Sequence, residues 1–143
     1  MSKINDYARF VDSCTSEASK HTDTMVGRLD RLQGTVSVQG ENRTEEMQVA
    51  RLLTSVIGMM AESGEFAEVV KKKVFQADTQ FTNEEIFHMK RELGDVLWYW
   101  VQGCIALGFT PDEVMEENIR KLESRYPNGF EVIRSEVRKK GDI

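Results

Sequence analysis

The sequence predicts an all-α protein: a helical bundle built on two long central antiparallel helices, with shorter helices at their flanks. Three observations carry this expectation. Apolar residues recur at the 3.6-residue helical period through most of the 143 residues. Only 2 prolines occur, so long helices run uninterrupted. Two Thr-x-x-Glu boxes, Thr82 with Glu85 and Thr110 with Glu113, mark helix starts at which a hydroxyl and a carboxylate cap free amides reciprocally. At this length one domain is expected over 1–143, organised as N-terminal helices and a loop (1–44), a helical core (45–125) and a C-terminal tail (126–143).

In chain order, Ile4, Tyr7, Ala8, Val11 and Cys14 share a helical face, which predicts a first amphipathic helix from Ile4 to about Ala18. Met25, Val26, Leu29 and Leu32 predict a second over 22–32. The stretch 34–44, with two glycines and two valines among polar residues, reads as a loop or a small extended excursion. The first central helix is expected from about Glu45 to Phe75, with Leu52, Val56, Met59, Phe66, Val70 and Val74 as its main apolar stripe. Leu53, Ile57 and Met60 add a second apolar edge, so more than one neighbour should cover this helix.

The second central helix begins at the Thr82 box and ends at Gly108. Its spacing assigns Ile86, Met89, Leu93, Val96, Trp100, Cys104 and Leu107 to the core, while His88, Glu92, Asp95, Tyr99 and Gln102 form a polar row along one flank. Trp98, Val101 and Ile105, on the opposite flank, would be bare in a lone helical hairpin and point to another helix or, preferably, another subunit. A third helix follows from Pro111 to about Arg125, with Met115, Ile119 and Leu122 on its apolar side. Tyr126-Pro127-Asn128-Gly129 is a turn, beyond which Phe130 and Ile133 are expected to dock a short tail.

Charge and composition exclude several function classes. A net charge of −5 opposes a general affinity for nucleic acid, which needs a basic face. Phosphate binding must therefore be local. Positive charge concentrates at Lys71, Lys72 and Lys73 and at Arg134, Arg138, Lys139 and Lys140. The opening M-S-K-I-N-D-Y lacks a secretory apolar stretch, and no later segment is apolar for long enough to cross a bilayer, so a cytoplasmic protein with no membrane partner is expected. If the chain is phage-encoded, the compartment is the host cytoplasm. Cys14 and Cys104 are too isolated for a zinc site or a disulfide framework and are read as buried free thiols.

The chemistry centres on two acidic pairs, Glu62 with Glu65 and Glu92 with Asp95. Residues three apart project from one side of a helix about a turn apart. A lone pair of this kind carries little information. Here both pairs sit at the margins of apolar stripes, where an uncompensated charge is costly, and facing helices that each offer two carboxylates are a known way to build a metal site in a bundle. Oxygen-only ligands select Mg2+, with Mn2+ as a substitute, over zinc or copper. Magnesium keeps waters and is completed by substrate phosphates, which implies a polyphosphate ligand. Lys72 on the first central helix, and Asn118, Lys121 and Arg125 on the third, are placed to orient its phosphates, with a plain surface charge as the rival reading of Arg125. His88 is left outside the site as a partly exposed histidine, and Trp98 and Tyr99 are read as core or interface rather than as a base-stacking pair. No glycine-rich phosphate loop is present.

The run G-M-M-A-E-S-G-E-F-A-E-V-V-K-K, then R-E-L-G-D-V-L-W-Y-W, then E-N-I-R-K-L-E-S-R-Y-P resembles the MazG-like branch of the all-α nucleoside triphosphate pyrophosphohydrolases, in its short, single-domain phage form, from about Leu52 to Phe130. The resemblance implies a homodimer or homotetramer with the divalent cation held by Glu62, Glu65, Glu92 and Asp95. It implies hydrolysis of a (deoxy)nucleoside triphosphate at the α-phosphorus to the monophosphate and pyrophosphate, with dGTP or dCTP among the preferred substrates. Asn118 and Lys121 carry over as substrate contacts, and Glu65 is the carboxylate chosen as base. Stepwise release of single phosphates, or action on phosphoribosyl-ATP or an alarmone, are rivals within the enzyme class. A metal-stabilised, non-catalytic helical interaction module is the rival from outside it.

Overall fold

A computed structural model describes residues 3–37, 44–77 and 79–136. Its elements are α1 (Lys3–Cys14), α2 (Glu17–Lys20), α3 (Thr22–Leu32), β1 (Gly34–Ser37), β2 (Thr44–Met47), α4 (Val49–Phe75), α5 (Asn83–Ala106), α6 (Pro111–Arg125) and α7 (Val132–Glu136). The all-α expectation is met, with one small addition. Residues 34–37 and 44–47 pair antiparallel, Gly34 opposite Met47 and Ser37 opposite Thr44. The expected excursion is thus a two-stranded ribbon.

That ribbon moves the start of the first central helix. Residues 44–47 extend to pair with β1, so α4 begins at Val49 rather than near Glu45. Gln48 turns the chain, and its amide donates to the Ala106 carbonyl at 3.0 Å, tying the start of α4 to the end of α5. The first helix is also shorter than expected. Thr15 turns its hydroxyl back onto the Val11 carbonyl at 2.7 Å, and Ser16 is extended with φ −66° and ψ 152°, so the chain breaks between α1 and α2. Hydroxyl side chains compete with the helix ladder in just this way.

Both capping boxes form. Thr82 accepts from the Glu85 amide at 3.2 Å and the Glu85 carboxylate accepts from the Thr82 amide at 2.8 Å. Thr110 and Glu113 repeat the arrangement, with Pro111 at the first turn. The same Glu85 oxygen lies 2.9 Å from Lys73 Nζ, which also reaches Thr79 Oγ1 at 3.1 Å. One carboxylate therefore caps α5 and ties its start to the end of α4. These contacts hold Glu85 below the usual carboxylate range, the Thr82 amide first and Lys73 next. Gly108, at φ 78°, adopts the left-handed turn just beyond α5.

α4 and α5 cross antiparallel on small residues. A Cβ on Gly58 would fall within the Tyr99 ring, and one on Gly103 would lie 2.7 Å from Ser55 Oγ. Backbones approach this closely only where side chains are small. The face of α5 that meets α4 is therefore the row bearing Glu92, Tyr99 and Gly103, and not the large apolar stripe a quarter turn away. This corrects the core assignment in part, at Ile86 and Leu93 on α5. Val49, Cys104 and Ala106 are buried, whereas Ile86 and Leu93 are exposed, Leu93 by 56%. On α4, Val56, Val74, Leu53, Ile57 and Met60 are likewise exposed, as are Met115, Ile119 and Leu122 on α6. Phe130 and Ile133 do not dock the tail (Ile133 is 77% exposed), and Cys14 is exposed while Cys104 is buried. Among the described residues these stripe positions stay open to solvent, while Leu52, Met59, Phe66 and Val70 on α4 and Met89, Val96, Trp100 and Leu107 on α5 are half-buried.

Candidate functional site

The crossing register sets what faces what. Gln48 meets Ala106, Ser55 meets Gly103, Gly58 meets Tyr99, and Lys73 meets Glu85. In that register Glu62, one turn beyond Gly58, comes opposite Asp95, and Glu65 comes opposite Glu92. Carboxylate oxygens of Glu62, Glu92 and Asp95 all lie within 4.8 Å of one another. A second set, Glu65, His88 and Glu92, satisfies the same limit. Glu92 belongs to both sets and is only 6% exposed.

Electrostatics give the cluster its character. Glu62 is pushed above the usual carboxylate range, first by desolvation, then by its hydrogen bond with Glu92, then by the charges of Glu65, Glu92 and Asp95. Among the described residues no lysine or arginine pairs with any of these four acids, and His88 Nδ1 lies 3.0 Å from Glu92 Oε1. Carboxylates crowded this way repel, and a buried one lacks the water that would compensate it. A divalent cation with oxygen ligands resolves both problems. The donor set fits such an ion: four carboxylates from two rigid helices, with one imidazole beside them.

All four acids expected at the site are thus brought together. The basic and amide residues are not brought to them. Lys72 Nζ lies 3.1 Å from Glu68 Oε1, an exposed pair one turn apart, and it lowers the Glu68 carboxyl. Asn118 and Lys121 line a separate groove of about 980 Å³ together with Trp100, Phe109 and Val114, and none of the four acids lines it. Arg125, half-buried at the end of α6, has its guanidinium carbon 6.0 Å from the centre of the Tyr126 ring. His88 is the residue that the sequence reading left out and the structure brings in. Its four-residue spacing from Glu92 was the available signal, since it places both on one face one turn apart. Ser55 and Gly103, which set the approach of the helices, were not singled out either; small residues at helical spacing on both helices were their trace.

Comparison with known proteins agrees with this geometry. A 73-residue stretch is 37% identical to the Gene 37 protein of Mycobacterium phage L5, covering 51% of this chain and 64% of that protein. The alignment thus spans less than two thirds of the relative's length. No solved structure matches. Residues 51–130 match the MazG nucleotide pyrophosphohydrolase domain, a span that runs from the first turn of α4 to just past α6 and contains all four acids. The chain belongs to the MazG nucleotide pyrophosphohydrolase domain family.

Proposed function

We propose that this protein is a magnesium-dependent nucleoside triphosphate pyrophosphohydrolase that cleaves a (deoxy)nucleoside triphosphate to its monophosphate and pyrophosphate, with dGTP or dCTP among its preferred substrates. The observation that carries the reading is the convergence of Glu62, Glu92 and Asp95 from two helices to within 4.8 Å, inside the stretch that matches the family. Glu62, Glu65, Glu92 and Asp95 hold the cation, with Mn2+ as the substitute. When bound, such an ion neutralises phosphate charge and acidifies water.

The chain's own residues supply the rest. Glu92, buried between the helices, fixes the position about which the other acids close. Glu65, exposed like Asp95, has room to accept a proton from an attacking water, and it is assigned as base. Asn118, Lys121, Lys72 and Arg125 are the proposed phosphate contacts, although within one chain Asn118 and Lys121 line a groove apart from the acids and Lys72 pairs with Glu68.

The uncovered apolar stripes support self-association. Large apolar side chains on α5, Leu93, Leu97 and Trp98 among them, are more than half exposed, and contiguous exposed apolar surface marks association sites. A homodimer or homotetramer is the assembly this reading expects, with Trp98 and Ile105, both exposed, and Val101 in its interface, and the compartment is the cytoplasm, the host's if the chain is phage-encoded. Among the described residues no helix is long and apolar enough to cross a membrane.

The decisive experiment is a nucleotide panel with Mg2+ and product identification. Pyrophosphate is the expected product, abolished in Glu62→Gln and Asp95→Asn variants that remain folded. Orthophosphate released stepwise would replace the proposal with the phosphohydrolase alternative, and cation binding without turnover on any nucleotide would replace it with the interaction module. A solution mass above 16.4 kDa is expected, and a strict monomer would refute the interface.

A further inference from the structure

We propose that Glu65, His88 and Glu92 form a second divalent-cation site that shares Glu92 with the Glu62–Glu92–Asp95 set and, through its imidazole nitrogen, takes a transition-metal dication such as Mn2+, Co2+ or Zn2+ in preference to Mg2+. This rests on the reading of the acids as a metal centre, moves Glu65 from the first ion and from the role of base to the second ion, and adds a ligand and a selectivity.

The geometry is that of a mixed nitrogen and oxygen donor set drawn from both helices. His88 and Glu92 lie one turn apart on α5, with Nδ1 3.0 Å from Oε1, and Glu65 reaches across from α4. One donor atom from each of the three lies within 4.8 Å of the others. Ligands of a single ion at about 2.0–2.2 Å stand roughly 3–3.5 Å apart, so a modest side-chain adjustment closes the set. Glu92, at 6% exposure, has one oxygen to offer each set. Shared carboxylates of this kind suit paired ions about 3.5–4 Å apart.

Donor chemistry separates the two sets. Glu62, Glu92 and Asp95 offer only oxygen, the environment magnesium favours. The imidazole of His88 shifts the neighbouring set toward ions that accept nitrogen. Access differs as well. The His88 side chain is 49% exposed and Glu65 is exposed, so the second set opens to solvent and leaves positions for water or a phosphate oxygen, as catalytic rather than structural metal sites do.

The competing role for His88 is a hydrogen bond that only positions Glu92, and the test separates the two. Co2+, and separately Mg2+, are titrated calorimetrically into the metal-stripped full chain and its variants. His88→Gln keeps a hydrogen-bond donor near Glu92 but is a poor ligand. Wild type should bind two Co2+ per chain and His88→Gln one, with its second-site affinity weakened roughly tenfold or more and Mg2+ binding unmoved. The chain has only 2 histidines, and His21 is paired with Glu17 far away in sequence, so imidazole NMR during a Zn2+ titration reads His88 directly. Its signals should shift in wild type and in Glu62→Gln. Equal Co2+ stoichiometry and affinity in wild type and His88→Gln, or unmoved His88 signals, overturn the second site while leaving the first intact. A wild type that binds no divalent cation overturns both this inference and the metal centre on which it rests.

Discussion

Replacing Gly58 by alanine asks whether the close crossing of α4 and α5 sets the spacing of the acids. A Cβ there would lie 2.2 Å from Cδ1 and Cε1 of Tyr99 and 2.5 Å from Cγ. Carbon atoms in contact sit about 3.5–4.0 Å apart, so the helices or the ring must give by at least about 1.3 Å. Because Cγ is the root of the ring, swinging the outer edge aside does not relieve the clash. Gly58 is one turn from Glu62 and Tyr99 one turn from Asp95, so the displacement reaches the acids. Overpacking costs about 1–3 kcal/mol, offset by about 1 kcal/mol of helix propensity. The net loss, up to about 2 kcal/mol, lowers the unfolding temperature by a few degrees. Activity should suffer more, because a misplacement of about 1 Å in a preorganised site costs on the order of 100-fold in rate. Gly64→Ala is the control: nothing lies within 4 Å of its new Cβ, so it should gain up to about 1 kcal/mol and retain turnover. Thermal unfolding and pyrophosphate release are measured on both variants. If Gly58→Ala matches Gly64→Ala in both, the crossing does not govern the site.

Three further outcomes are expected. Thr82→Ala, which removes the acceptor for the Glu85 amide, should cost about 1 kcal/mol, seen as a lower urea midpoint at unchanged slope. A divalent cation at about 100 times its Kd should stabilise the wild type by about 2.7 kcal/mol and leave Glu92→Gln unmoved in the same thermal scan. The pH dependence has opposite signs at two carboxyls. Glu62 is raised in the folded state, so folding takes up a proton, and metal-free stability falls as pH rises through the folded value and recovers on acidification. Glu62→Gln should flatten that slope. Glu85 is lowered, so its contribution is complete above its unfolded value and is lost as pH falls through the folded one, and Glu85→Gln should abolish that loss. Urea unfolding across the acidic range in a chelator checks both.

Much of the fold was legible because its signals are local. The Thr82–Glu85 and Thr110–Glu113 boxes formed as read, since a cap needs only residues three apart. The meeting of Glu62 with Glu92 and Asp95 was legible from two spacings and a short connection between helices. The pairing of residues 34–37 with 44–47 left only a faint trace, and it displaced the start of α4 by several residues. His88 was left out as a partly exposed histidine, and its nearness to Glu65 arises only across the helix crossing.

The sequence by itself determined where α5 and α6 start, that the helix faces are amphipathic, and that two pairs of carboxylates share a side of their helices, because periodicity and capping are properties of a few neighbouring residues. Which face meets which was decided only in three dimensions. Hydrophobicity ranks the stripe of Ile86 and Leu93 as the core, yet close approach between backbones is steric, and Gly58, Ser55 and Gly103 permit it on the acid-bearing side instead. The contact that draws the carboxylates together is therefore the one that leaves Ile86 and Leu93 at the surface.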